Sequence, residues 1–210
     1  MEFDNVLKER RSVRKYKASA VTGEQLEKLI QAAQYAPSWK NLQTSRYYVI
    51  DAPDVVANLK KECLPEFNAT NVANAPALIV TTFVKNVSGY TIEGQPRNEC
   101  GNGWGYYDLG LASANIILEA RNQGLDTLIM GIRDGEKIRQ MLAIDESEEI
   151  VAVIGVGVRE DGFEPKMPKR KEMNGESTRL QQSQESSLKS LFRPHSTLRH
   201  GRICRHQDIM

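Results

Sequence analysis

Residues 104–134 constrain the fold of this chain more than any other stretch, because a long apolar helix is followed there by a short buried strand. The helix has too few polar positions to face water along a whole side, so several faces must be buried, within its own domain or against a second subunit. Asp108 is expected in its first turn and Gly124 at its left-handed C-terminal cap. The apolar positions are Leu109, Leu111, Ala112, Ile116, Ile117, Leu118 and Ala120.

The strand predicted at 125–130 runs directly into Gly131. Glycine leaves the backbone bare, so a flat ligand can approach closely at such a strand end. This end of the strand is the first candidate for a binding surface.

Length and charge exclude some classes of protein. The chain has 210 residues and a formal net charge of +1, which allows one domain with an extension and favours no polyanionic partner. We find no apolar run long enough to span a bilayer and no secretion signal, and therefore expect a cytoplasmic protein. Three widely spaced cysteines, Cys63, Cys100 and Cys204, indicate neither a disulfide framework nor a zinc site.

A basic segment follows a short helix predicted at 3–9. Side chains at alternate positions of an extended chain project to one side, so Arg10, Ser12 and Arg14 are placed to converge on one anion such as a phosphate. The alternative is a solvated basic patch at the C-terminus of the helix, where cations are favoured.

A polar loop at 36–44 follows a helix that opens with Thr22 and Gln25 as a capping box. Hydroxyl and amide groups in this loop suit a ligand with amide-like edges, although such side chains often satisfy only their own backbone. The loop contains Pro37, Ser38, Asn41, Gln43 and Thr44.

The remaining pattern predicts a scaffold of helices at 53–62 and 136–142 and strands at 46–50, 77–84 and 150–158. The last strand is apolar nearly throughout, which indicates cover on both faces. Its Gly155 and Gly157 do not complete a nucleotide-binding glycine motif, and we expect them to permit close packing. A polar loop at 86–103 is long enough to be a lid.

The character of the sequence changes after Glu172. We expect one domain at 1–172 and a polar, basic, disordered tail at 173–210. A second basic cluster at 166–171 is on its own most simply a solvated charge run. The tail holds His195, His200, Cys204 and His206, but their spacing matches no metal site, so no metal is predicted.

Together, three segments resemble the FMN-dependent nitroreductase family in their order and spacing. They are RRSVRKY, APSWKNLQTSRYYVI and YDLGLASANIILEARNQGLDTLIMG, and VIGVGVRE with KMPKRK closes the pattern. The resemblance implies an α+β fold, with a mixed, mainly antiparallel sheet flanked by helices and the long buried helix at the interface of a homodimer.

The resemblance also implies roles for particular residues. The basic segment would bind the FMN phosphate and ribityl end, joined by the second basic cluster, and the polar loop would reach the flavin across the dimer interface. The strand end at Gly131 would lie against the flavin ring, with its backbone N–H near flavin N5. The implied cofactor-binding residues are Arg10, Arg11, Ser12, Arg14, Pro37, Ser38, Asn41, Gln43, Ile129, Met130, Gly131, Lys169 and Arg170.

The implied activity is a ping-pong cycle in which NADH or NADPH reduces FMN, and a nitroaromatic, quinone or similar small molecule then takes the electrons. FMN carries the chemistry, so no catalytic side chain is nominated. The segment LIMGIRD differs from the CWIGG of many members, which implies a differently shaped substrate pocket.

Two alternatives remain at this point. One is a flavin-binding or sensing protein of the same fold without efficient turnover. The other is a nucleic-acid contact through the basic tail, which the scarcity of aromatic residues there disfavours. The tail also does not resemble a segment that exchanges between subunits.

Overall fold

The structure, a computed structural model, describes residues 1–172. Within that range the chain forms six α-helices and five strands. Those that the sequence predicts lie within a few residues of the expected positions, whereas the short strand at 16–17 and the helix at 66–71 were not predicted. The elements are α1 (Phe3–Glu9), β1 (Tyr16–Lys17), α2 (Gly23–Gln34), β2 (Ser45–Ile50), α3 (Pro53–Cys63), α4 (Glu66–Asn71), β3 (Ala77–Val84), α5 (Gly103–Asn122), β4 (Asp126–Met130), α6 (Gly135–Leu142) and β5 (Glu148–Arg159).

The five strands form one sheet around β5, the longest of them. One edge of β5 pairs with β3, and β3 pairs with β2. The other edge of β5 pairs with β4 and, closer to the C-terminal end of β5, with β1. All these pairs are antiparallel, which confirms the predicted mixed α+β fold with a mainly antiparallel sheet.

Helices cover both faces of the sheet. The alternation of side chains along β3 sends Ile79 to a core formed with α2 and α5, and Leu78 to a core that includes residues of α3 and α6. Both β5 glycines sit where a side chain would collide. A Cβ at Gly155 would lie 2.7 Å from Val72 Cγ1, and one at Gly157 would lie 2.9 Å from Tyr16 Cδ1. The close-packing interpretation is therefore confirmed.

Helix α5 buries one side within this chain. Leu109, Ala112, Ile116 and Ala120 are buried, whereas Leu111, Ile117 and Leu118 keep partial exposure. The helix ends as predicted, with Gly124 at φ +81° and Leu125 N–H donating to Ala120 O at 2.8 Å.

The prediction for Asp108 was wrong in position. Because α5 begins at Gly103, Asp108 lies in the second turn, too far from the helix N-terminus for its carboxylate to be held by the end charge.

Backbone contacts divide the chain into two compact units, Met1–Met167 and Pro168–Met210. The predicted tail at 173–210, its histidines and Cys204 lie outside the described residues. Across residues 1–172, no helix combines the length and the apolar character needed to cross a bilayer.

Candidate functional site

The basic N-terminal segment lies along the edge of β4. Val13 is fully buried, and its N–H donates to Thr127 O at 3.0 Å, while Ser12 and Thr127 form a parallel bridge. Ser12 itself stays exposed. The fold therefore brings together two segments that the sequence separates, RRSVR and LIMG.

The far end of β4 presents an open apolar surface. Leu128 and Met130 point into the core, whereas Ile129 between them is 46% exposed and Ile132 is 66% exposed. A Cβ placed on Gly131 would meet no atom within 4 Å. This surface has the room and the apolar character that a flat aromatic ligand requires.

Strand β4 is anchored at its other end by Asp126, whose side chain is 1% exposed. Its carboxylate accepts from Arg159 Nε at 2.9 Å and Nη2 at 2.6 Å, and from Arg121 Nη1 at 3.1 Å. The Asp126 hydrogen bond raises the pKa of Arg159, which keeps this guanidinium charged. A charged clamp thus ties β4 to β5 and to the end of α5.

The predicted phosphate-binding residues divide between two sides of the N-terminal segment. Arg14 is exposed, and its Nη1 lies 3.4 Å from Ser12 O. Arg11 turns instead toward a cavity of about 520 Å³ that Asp126 and Arg159 also line. Within the described residues, Arg11 Nε is buried and has no hydrogen-bond partner. Arg10 is partly exposed, and all four assignments stay predictions.

The polar loop at 37–43 forms a second cavity, of about 340 Å³. Pro37, Ser38 and Gln43 line it together with Asp108, whereas Asn41 does not. Among the described residues that line this cavity, none comes from residues 10–14 or from β4. Within one chain, the two groups of predicted cofactor-binding residues thus open onto different surfaces.

The backbone of this loop is strained. Three residues other than glycine have left-handed φ angles: Lys40 at 49°, Asn41 at 57° and Gln43 at 49°. Such conformations persist only where surrounding contacts hold them, and they concentrate at functional sites. Part of the support is internal, because Gln43 N–H donates to Ser38 Oγ at 3.0 Å.

Two further residues shape this cavity, and the sequence-based reasoning assigned neither to it. Asp108, which also lines it, accepts hydrogen bonds from the backbone of the loop. Tyr47 lines the wall, and burial raises the pKa of its phenol, so it remains neutral at physiological pH. One available signal was a carboxylate in the mainly apolar first half of α5.

Two tryptophans and a tyrosine pack beside the loop. The Trp39 and Trp104 rings have centroids 4.5 Å apart, and Trp104 and Tyr107 lie 5.8 Å apart at 70°. Tyr107 is 61% exposed. An aromatic cluster therefore lies next to the loop, although neither tryptophan lines the cavity.

Lys169 and Arg170 of the second basic cluster belong to the unit Pro168–Met210. Lys169 and Arg170 are exposed and lie in a stretch without helix or strand. Their predicted contact with the FMN phosphate stays a prediction. Across residues 1–172, no group of His, Cys, Asp and Glu side chains is arranged to hold a metal ion.

The fold and these surfaces define an α+β domain in which β4 pairs with a basic segment near its start and has an open apolar surface at its end. The chain belongs to the nitroreductase family, whose sequence profile matches residues 7–158.

Individual relatives agree with this assignment. An Archaeoglobus fulgidus protein named "Putative NADH dehydrogenase/NAD(P)H nitroreductase" is 28% identical over 156 residues, which cover 72% of this chain and 82% of the relative. An FMN-dependent nitroreductase of Clostridium difficile is 26% identical, with a TM-score of 0.63 over 83% of this chain and 96% of that one. A nitroreductase family protein of Streptococcus pneumoniae, 20% identical, shares the fold with a TM-score of 0.72 over 85% of this chain and 100% of that one.

Proposed function

We propose that this protein is an FMN-dependent oxidoreductase that uses NADH or NADPH to reduce a nitroaromatic, quinone or similar acceptor in a ping-pong cycle. The observation that carries the proposal is the bridge between Ser12 and Thr127, which pairs the basic segment with the start of β4, the strand whose far end at Gly131 is open. A ligand with an anionic end and a flat aromatic end fits that combination. Relatives named as NAD(P)H and FMN enzymes support the choice of cofactor and reductant.

The residues present fit FMN by their chemistry. Guanidinium groups and a hydroxyl at Arg10, Ser12 and Arg14 suit a phosphate. Ile129 and the uncrowded backbone of Gly131 suit the ring. Met130 holds β4 from the inner side through its packing in the core, whereas Arg11, among the described residues, donates only to the carbonyl of its neighbour Arg10.

We also propose that the protein works as a homodimer. The incompletely covered side of α5, with Leu111, Ile117 and Leu118, provides an apolar surface for a second copy. Dimerisation would allow the loop with Pro37, Ser38, Asn41 and Gln43 to complete the flavin site of the partner. This arrangement accounts for the two separate surfaces within one chain.

FMN, when bound, supplies transfer of two electrons from a nicotinamide to an acceptor. The protein's own contribution is binding and orientation. Cationic side chains hold the phosphate, and the apolar end of β4 keeps water from one face of the ring. A backbone N–H near Gly131 is a donor that does not titrate, so no catalytic side chain is required.

The decisive experiment begins with the visible spectrum of the purified chain after incubation with FMN and removal of unbound flavin. The expected result is a retained flavin spectrum that NADH or NADPH bleaches without oxygen. Initial rates at several acceptor concentrations should then give parallel double-reciprocal lines. Failure to retain FMN would refute the proposal, whereas retention without bleaching would identify a flavin-binding or sensing protein.

A pair of variants tests the phosphate contact. Arg14→Ala should weaken FMN binding by about 1.5–3 kcal/mol, or roughly 10–150-fold, the loss expected for a charge-assisted hydrogen bond. Lys15→Ala removes the same charge one residue further along and should change the affinity much less. Equal weakening in both variants would show that FMN binding depends only on the overall positive charge of the segment and not on a specific contact with Arg14.

A further inference from the structure

The carboxylate of Asp108 joins two loops that the sequence separates by more than forty residues. It accepts a hydrogen bond from the backbone N–H of Trp39, with distances of 3.1 Å to Oδ1 and 3.0 Å to Oδ2. It also accepts from Ser88 Oγ at 2.5 Å. Asp108 is 4% exposed and Ser88 is 1% exposed, so both bonds are shielded from water.

The loop at 37–43 needs support from outside. Its three left-handed residues cost conformational energy. The hydrogen bond from Gln43 N–H to Ser38 Oγ lies within the loop and does not connect it to the core. Arg46 holds the loop at its end by donating to Gln43 O at 2.8 Å. Asp108 holds it at its start and does so from a rigid helix, which fixes the loop relative to the core.

The segment at 86–102 is fixed at the same point. Beside Ser88, a Cβ on Gly89 would lie 2.5 Å from Trp104 Cδ1, so the backbone rests directly on that ring. Trp104 Nε1 donates to Asn98 Oδ1 at 2.9 Å. The segment and the loop therefore meet around one carboxylate and one pair of tryptophans in contact, whose rings are tilted by 54°.

We propose that Asp108 is a positioning residue that locks the loop at 37–43 against α5 and couples it to the segment at 86–102. The effect of Asp108 on FMN affinity rests on the proposed function, whereas its effect on the loop does not. A carboxylate serves here because both partners are donors.

The two tryptophans of the chain, Trp39 and Trp104, provide a direct readout. With centroids 4.5 Å apart, their transitions couple and give a paired circular dichroism band that needs no flavin. Asp108→Ala should abolish this band while the helical signal remains. Asp108→Asn should retain it, because the amide oxygen still accepts from Trp39 and the amide nitrogen can donate to Ser88.

A second arm measures FMN binding. Asp108→Ala should weaken it about tenfold or more, the loss expected for a charge-assisted hydrogen bond, and Asp108→Asn should restore most of it. Ser88→Ala is the matched control, which should speed amide hydrogen exchange at 86–102 and leave the tryptophan band intact. Loss of the band in Asp108→Ala would support the positioning role even if the unsubstituted chain bound no FMN.

The inference is overturned if folded Asp108→Ala keeps the tryptophan band, or if Asp108→Asn loses it equally. If the alanine variant does not fold, ¹⁵N labelling of tryptophan tests the contact instead. It gives one backbone amide signal for each of the two tryptophans. The Trp39 amide should exchange slowly in the unsubstituted chain and shift in Asp108→Asn. An unchanged Trp39 signal would refute the contact.

Discussion

Substituting Asp126 by asparagine tests whether the charged clamp holds β4 in place. The carboxylate is 1% exposed and accepts three hydrogen bonds from Arg121 and Arg159, besides one from the Arg159 backbone N–H at 3.2 Å. Asparagine has nearly the same shape, but one of its two positions becomes a donor. That donor must face another donor, and the buried charge that balances two guanidinium groups is lost.

The size of the effect follows from these contacts. Breaking a buried ion pair costs about 3–5 kcal/mol, and the partial exposure of Arg121 at 14% and Arg159 at 23% places the estimate at the lower end, about 3 kcal/mol. At about 2–4 °C per kcal/mol for a chain of this size, the melting temperature should fall by about 6–12 °C.

Thermal unfolding followed by circular dichroism measures this shift. Glu24→Gln is the control, because it removes an exposed ion pair with Lys28 at 2.7 Å and should leave the melting temperature unchanged. Combining Asp126→Asn with Arg159→Met should be less harmful than the sum of the single changes. A fall of less than about 2 °C for Asp126→Asn would refute the reasoning, since it would mean that desolvation cancels the clamp.

Two other substitutions probe packing and ionisation. Gly105→Ala should destabilise by about 1–3 kcal/mol in denaturant unfolding, because its Cβ would overlap the Phe83 ring, whereas Gly110→Ala in open space should not destabilise. Burial, then Asp126, raises the pKa of Tyr16, so its stabilising effect is complete below about pH 10 and declines above. Tyr16→Phe should therefore flatten the alkaline fall in stability, and an unchanged slope would contradict this.

The sequence predicted the elements well because their signals are local. The capping box of Thr22 and Gln25 and the left-handed Gly124 are both present, and each depends on residues within a few positions. The buried faces of β5 likewise follow from its continuous apolar pattern.

Contacts between distant residues were not predictable in the same way. The bonds from Trp39 to Asp108 and from Arg159 to Asp126 join residues that neither spacing nor periodicity relates. Asp108 therefore received a local explanation, the helix end, and that explanation was wrong. The resemblance grouped the predicted cofactor residues, but only the fold shows that Ser12 and Thr127 are neighbours while Ser38 lines a different cavity.

The bridge between Ser12 and Thr127 has a consequence for folding. It closes a loop that contains most of the domain, and closing that loop costs chain entropy before the contact stabilises the fold. Such contacts therefore tend to form late in folding. A ligand that bound across both segments would stabilise this closure by mass action. The amount of folded protein in a cell would then depend on the supply of that ligand. When the supply falls, the N-terminal segment would be the first part to detach.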